Sequence, residues 1–136
     1  MRITKEYIKQ VNYKIVGAAI EVHKQLGPGL LESIYEECLY EELLMRGLHP
    51  QRQVNLPVLY KGRQVKNDLR IDLRVNDIII LELKSVNKMA PLFEAQLMTY
   101  MKLAEKPKGL LINFNVTKLT DGIIPIVNKI FANLPD

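Results

Sequence analysis

The 136-residue chain has a single cysteine, Cys38. An internal disulfide is therefore excluded, and so is a zinc ribbon, which needs several thiolates. Such sparse thiol usage fits a reducing cytoplasm. Long apolar runs are also missing. A stretch such as Ile78-Ile79-Ile80-Leu81 is far below the roughly 18 residues that span a bilayer. The start, Met1-Arg2-Ile3-Thr4-Lys5-Glu6, lacks the apolar segment of a secretory signal. These absences predict a soluble, cytoplasmic protein with no membrane partner. No composition shift marks a linker and no internal repeat is visible, so one domain is expected over residues 1–136. Charge of one sign is not in large excess. The 19 Lys+Arg against 15 Asp+Glu leave +4, which permits a nucleic-acid partner without requiring one. What is present is ordinary globular composition, 48% hydrophobic and 25% charged. A chain of this size buries roughly two thirds of its unfolded surface and needs no staple.

Ile8, Val11, Ile15, Ala18, Ala19 and Val22 recur at helical spacing and predict a helix over about Lys5 to Gln25, with Thr4 as its N-cap. Leu26-Gly27-Pro28-Gly29 stops it. A second helix is expected over about Leu30 to Arg46, its apolar stripe read as Leu31, Ile34, Tyr35, Cys38, Leu39 and Leu43. Most of its five glutamates, Glu32, Glu36, Glu37, Glu41 and Glu42, read as a solvated face. The middle is strand-like. Gln53 to Leu59 alternates, as does Leu69 to Val75, and the turn Asn76-Asp77 leads into a buried strand over Ile78 to Ser85. Pro91 opens a helix that runs to Ala104. A short strand at Leu110 to Phe114, a polar loop and a closing helix over Ile123 to Phe131 complete the chain. The order is α-α-β-β-β-α-β-α, an α/β architecture with an antiparallel hairpin and a parallel crossover.

The chemistry-bearing stretch is Arg70-Ile71-Asp72-Leu73-Arg74, then Leu81-Glu82-Leu83-Lys84. Strand alternation puts Glu82 and Lys84 on one face. Pairing across the Asn76-Asp77 turn brings Asp72 toward Glu82. Two close carboxylates repel, and each is driven toward protonation unless a cation intervenes. A hard divalent ion, Mg²⁺ or Mn²⁺, resolves that conflict with oxygen ligands from Asp72, Glu82 and the Leu83 carbonyl. Lys84 is then placed to assist a water and to steady charge on a phosphate, as phosphodiester hydrolysis requires. The competing reading is a salt bridge at an exposed strand end. Gln96 and Tyr100, four residues apart, share a helix face near this site; taken alone, Tyr100 reads first as a core residue. Glu32 is either a further metal ligand or a charge at its own helix start.

Together these pieces resemble the GxxExxY protein family. The likeness is carried by Gly29-Leu30-Leu31-Glu32-Ser33-Ile34-Tyr35, the preceding Glu21 to Gly29, Arg70 to Leu73, Leu81 to Lys84, Glu94-Ala95-Gln96-Leu97, Thr99-Tyr100 and Leu110 to Asn115. It covers nearly the whole chain, about Ile8 to Ile130. That family is placed in the PD-(D/E)XK nuclease superfamily. The resemblance implies a restriction-endonuclease-like core, a central mixed sheet flanked by helices. It implies Asp72, Glu82 and Lys84 as the catalytic motif, Glu32 as the helix glutamate some members add to the metal, and Gln96 and Tyr100 as the pair on the following helix. Ile71 stands where the superfamily name has Pro, and Phe93 where many relatives have His.

The expected function is Mg²⁺-dependent cleavage of DNA or RNA. The alternative is a catalytically silent module of the same fold that binds nucleic acid or a protein. Lys61, Arg63, Lys66 and Arg70 read either as a phosphate-tracking surface or as a charged strand edge that blocks aggregation. A domain this small, with no added reader of sequence, points to a partner, a homodimer, a larger assembly or a structure-defined substrate. His23 reads as a helix-end residue or a site residue, His49 as a loop residue, and Cys38 as a buried inert thiol.

Overall fold

The computed structural model describes residues 2–136. Helix α1 (Lys5–Leu26) begins where the Thr4 hydroxyl accepts the Tyr7 N–H at 3.0 Å, satisfying one of the first-turn donors that a helix leaves free. All six residues of its apolar stripe are buried. It ends at Gly27, whose φ of +74° suits a residue without Cβ. Helix α2 (Glu32–Met45) then packs back along α1. Its buried side differs from expectation. Leu31 and Ile34 are exposed, whereas Tyr35, Leu39 and Leu43 are buried and Glu36 joins them. The helix is turned so that Glu36 faces Arg52 and Gln53, which satisfy its carboxylate.

The strands are β1 (Pro50–Asn55), β2 (Val58–Tyr60), β3 (Arg63–Val65), β4 (Arg70–Val75) and β5 (Ile79–Lys84). The single strand expected over Gln53 to Leu59 is therefore two. Leu56 turns into the core and Pro57 has no amide to offer a ladder. Helix α3 (Pro91–Ala104), β6 (Lys108–Asn113), a 3-10 turn at Leu119–Gly122, β7 (Ile123–Val127) and a short α4 (Lys129–Ala132) follow. The closing helix expected over Ile123 to Phe131 is thus mostly strand. Pro125 would break a helix interior, but β7 is a sheet edge, where a missing N–H costs little.

The main sheet has the order β1-β4-β5-β6-β7. Only β5 and β6 are parallel, joined through α3, and the other pairs are antiparallel. The sheet is mixed and flanked by helices, as the sequence order implied. One core cluster joins Leu73, Val75, Ile79, Leu81 and Leu83 to α1 and α2, and another joins Ile80 and Leu111 to Leu97, Tyr100 and Met101 of α3. Strand β5 is buried on both faces. No helix among the described residues is long and apolar enough to cross a membrane.

Candidate functional site

The sheet forks at one end. Pairing of β4 with β5 stops at Leu73↔Leu81, yet β4 stays with β1 out to Asn55↔Arg70, and β5 stays with β6 out to Lys84↔Asn113. In the opening, side chains take the place of ladder partners. The Asp72 carboxylate accepts the Leu83 N–H at 2.8 Å, and the Glu82 carboxylate accepts the Asp72 N–H at 3.4 Å. Each acid is bonded to the other's strand, so the two carboxylates lie side by side. The Lys84 carbonyl accepts the Phe114 N–H on the β6 side. Strand alternation then aims the preceding Leu83 carbonyl toward β4, into the opening.

Burial raises the Glu82 carboxyl from an ordinary 4.5 to about 8, and the neighbouring Asp72 adds to the rise. Burial likewise raises Asp72 to about 6, against the Leu83 N–H bond that favours its ionised form; Glu36 and Glu32 push the same way as burial. Lys84 offsets part of both shifts. The pair is best regarded as one coupled site that retains a proton near neutrality. Tyr100 is raised too, first by burial and then by Glu82 and Asp72. Its hydroxyl accepts a hydrogen bond from the exposed Gln96 at 3.1 Å.

Lys84 is not locked onto either acid. Its Nζ stands 4.3 Å from the centroid of the half-buried Phe93 ring, a cation–π position that holds the ammonium beside the carboxylates. The salt-bridge reading of Asp72 with Arg70 or Arg74 is not what the structure shows: Arg74 pairs with Asp77, and Arg70 donates to Asn55 and to the Leu69 carbonyl. Glu32 is exposed on the first turn of α2, close enough to influence both acids. Among the described residues, however, no three His, Cys, Asp or Glu side chains are placed to hold an ion together. Asp72 and Glu82 are brought together and Glu32 stands off. The four cations Lys61, Arg63, Lys66 and Arg70 are all exposed.

The Gly and Tyr of the Gly29–Tyr35 motif hold this arrangement. The Tyr35 hydroxyl donates to the Gly27 carbonyl at 2.6 Å and accepts the Leu30 N–H at 3.1 Å. Its ring stacks on Phe114 at 4.4 Å and 7°, and Phe114 is bonded to Lys84. Gly29 turns the loop with φ +95°. The start of α2 is thereby fixed to the end of β5, and Ser85 adds a bond to the Leu30 carbonyl. Beyond Lys84 the chain is clamped by Asn113, which accepts the Val86 N–H and donates to the Val86 carbonyl. His23 bonds the Val116 carbonyl at 2.7 Å and lies near Phe114, which makes it a strut between α1 and the loop after β6.

Glu36, one of the glutamates expected on a solvated face, is buried beside the site. It is 7% exposed, takes two bonds from Arg52 and one from Gln53 at 2.6 Å. Gln53 has φ +48° and lies across β1/β4 from Asp72, between the pairs Arg52↔Leu73 and Val54↔Ile71. A carboxylate one helical step after Tyr35 gave no local sign of this, because its partners lie sixteen and seventeen residues away.

Asp72 and Glu82 fit a divalent cation. They are two desolvated carboxylates that repel each other, with one carbonyl directed into the same opening. A cavity of about 320 Å³ lined by Lys5, Asn12, Lys108 and Phe131 is elsewhere, at the opposite end of β5 and β6. A family model described as the PD-(D/E)XK nuclease superfamily matches residues 9–126, a span that holds every residue discussed at the site. No curated protein and no solved structure matches the chain.

Proposed function

The chain belongs to the PD-(D/E)XK nuclease superfamily, and from that premise we propose that it is a nuclease that cleaves DNA or RNA with the help of Mg²⁺ or Mn²⁺. Its core is of the restriction-endonuclease type, and within the superfamily the likeness of Gly29–Tyr35 to the GxxExxY signature supports grouping it with those proteins. The observation that carries the reading is the pair Asp72 and Glu82, buried together in the fork of the sheet with raised proton affinities. Two desolvated acids side by side repel each other and are costly to an isolated fold, and perturbed acids cluster at functional sites.

Asp72, Glu82 and the Leu83 carbonyl would hold the ion, with Glu32 on the open side. When bound, the ion supplies Lewis acidity and a more acidic water. The chain's own groups do the rest. The Leu83 N–H fixes the Asp72 carboxylate. Phe93 keeps the Lys84 ammonium beside the acids, where it steadies charge on a phosphate. Gln96 and Tyr100 form a hydrogen-bonded pair that orients the substrate.

The test is a cleavage assay on single-stranded, duplex and branched DNA and RNA with Mg²⁺ or Mn²⁺. Wild type should cut at least one substrate, and Asp72→Ala and Lys84→Ala should each lower the rate by about a hundredfold or more. Activity that survives both substitutions would remove the site from the mechanism. Wild type that binds nucleic acid, ignores both metals and cuts nothing would leave the silent binding module.

A further inference from the structure

We propose that the hairpin β2–β3 is a stacking wing that selects nucleic acid with unpaired bases. This rests on the nuclease reading above and names the substrate class for that site. The two three-residue strands pair only with each other, outside the main sheet. Such a ribbon is marginal on its own, and the core does not explain its side chains. Leu59 and Tyr60 are 64% and 63% exposed, and Val65 is exposed as well.

The register places Tyr60 directly opposite Arg63, and Val58 opposite Val65. Directly paired residues of antiparallel strands share a face, and alternation puts both pairs on the same one. Lys61, in the turn with φ +51°, sets its Nζ 5.5 Å from the centroid of the Tyr60 ring. One exposed aromatic ring is thus flanked by two cations at a ribbon tip. That combination matches a base stacked on the ring with its phosphates on Lys61 and Arg63, the chemistry of single-strand recognition. A duplex hides its base faces and offers only the phosphates.

The ribbon is rooted beside the candidate site. The Leu56 N–H donates to the Leu69 carbonyl at 3.1 Å at its base. Leu56 is buried against the α3 side of the core, and two residues beyond Arg70 the chain reaches Asp72. The wing therefore rises from the end of the sheet where the acids lie. Lys66 and Arg70, against Asp68, give the same segment an excess of positive charge.

The test is fluorescence anisotropy in EDTA, with labelled single-stranded and duplex DNA of one sequence across a salt series. Wild type, Tyr60→Ala, Tyr60→Phe and Lys61→Ala are compared, with circular dichroism as the folding check. Wild type should favour the single strand. Tyr60→Ala should weaken single-strand binding between about fivefold and about a hundredfold, leave duplex binding within about twofold and keep the salt slope; the phenyl ring of Tyr60→Phe should restore affinity. Lys61→Ala should reduce the slope for the single strand by about 0.7. Equal losses on single strand and duplex, or no loss in Tyr60→Ala while Lys61→Ala weakens both, would overturn the wing and leave the nuclease reading standing. A wild type that binds neither DNA nor the matching RNA would overturn both. Single-strand binding unaffected by Tyr60→Ala, with Tyr60 mediating self-association instead, would assign the ribbon to a second copy and overturn the wing.

Discussion

Glu82→Gln should stabilise the metal-free protein while removing its affinity for a divalent ion. Glu82 rises from an ordinary 4.5 to about 8 in the fold, by burial first and by Asp72 second. Between those values the folded chain holds a proton that the unfolded chain has released. Stability therefore falls as pH rises through this window and is lowest above about 8, where the carboxyl is ionised in both states. At about 1.4 kcal/mol for each tenfold change in proton affinity, the rise sets a ceiling of about 5 kcal/mol on the cost of the ionised group. Water on the open side of the fork relieves part of that cost, since effective dielectric constants near such sites are far above the dry-protein value. A gain of about 2 kcal/mol for the glutamine variant at pH 9 is the expected result, or roughly 6 °C in Tm for a chain of this length.

The assay is thermal and urea unfolding of wild type and Glu82→Gln in EDTA at pH 5 and pH 9. The variant's advantage should be present at pH 9 and close to absent at pH 5, where the folded wild-type carboxyl is protonated. Mg²⁺ at ten times its Kd should then add about 1.4 kcal/mol to wild type at pH 9 and nothing to the variant. The reasoning is refuted if the variant is no more stable than wild type at pH 9, or if its advantage is the same at both pH values. Either result would mean that the acids are solvated, and that nothing in the fork calls for a cation.

Two further substitutions probe what holds the site. Tyr35→Phe removes a hydroxyl with two backbone partners, Gly27 and Leu30, but keeps the stack on Phe114. It should cost about 1–2 kcal/mol in urea unfolding, and an unchanged midpoint would show that the loop is held without it. Phe93→Leu takes away the ring beneath the Lys84 ammonium. It should lower kcat of cleavage between about twofold and about thirtyfold with KM nearly constant, and a normal kcat would show that Lys84 finds its place without the ring.

Much of the fold was legible because local pattern and tertiary role agree. The α1 stripe is buried as its spacing requires. Asn76 and Asp77 both adopt positive φ at the β4–β5 turn, the conformation for which those residue types are favoured. Strand β5 lies centrally, as its apolar run on both faces implies. The errors fall where local pattern is ambiguous or where the partner is distant. Ile123 to Val127 is a short apolar run, which periodicity alone cannot assign; Pro125 was the deciding residue. Glu36 looked like one of several solvated glutamates, and only the fold brings Arg52 and Gln53 to it. The meeting of Asp72 and Glu82 could be foreseen because both flank one hairpin. The fork that desolvates them could not, because it depends on β1 and β6 drawing β4 and β5 apart.

The fork explains why charged residues tolerate a central strand. In an unbroken sheet the Leu83 N–H would meet a backbone carbonyl of β4, and the Asp72 N–H one of β1. Here two acidic side chains occupy those positions, so the backbone donors stay satisfied while the strands separate. Apolar side chains at 72 and 82 could not take over those bonds. The acids thus terminate the pairing, and their own repulsion acts against closing it. Around them the edges are held from both sides, β4 through Gln53 and Glu36 on α2 and β5 through Phe114, Asn113 and Tyr35. With the edges held, the acids cannot relieve their repulsion by moving apart, and protonation or a bound cation remains. A site that breaks the local rule for a buried strand, and is braced so that the break persists, is where sequence and fold are expected to conflict for the sake of function.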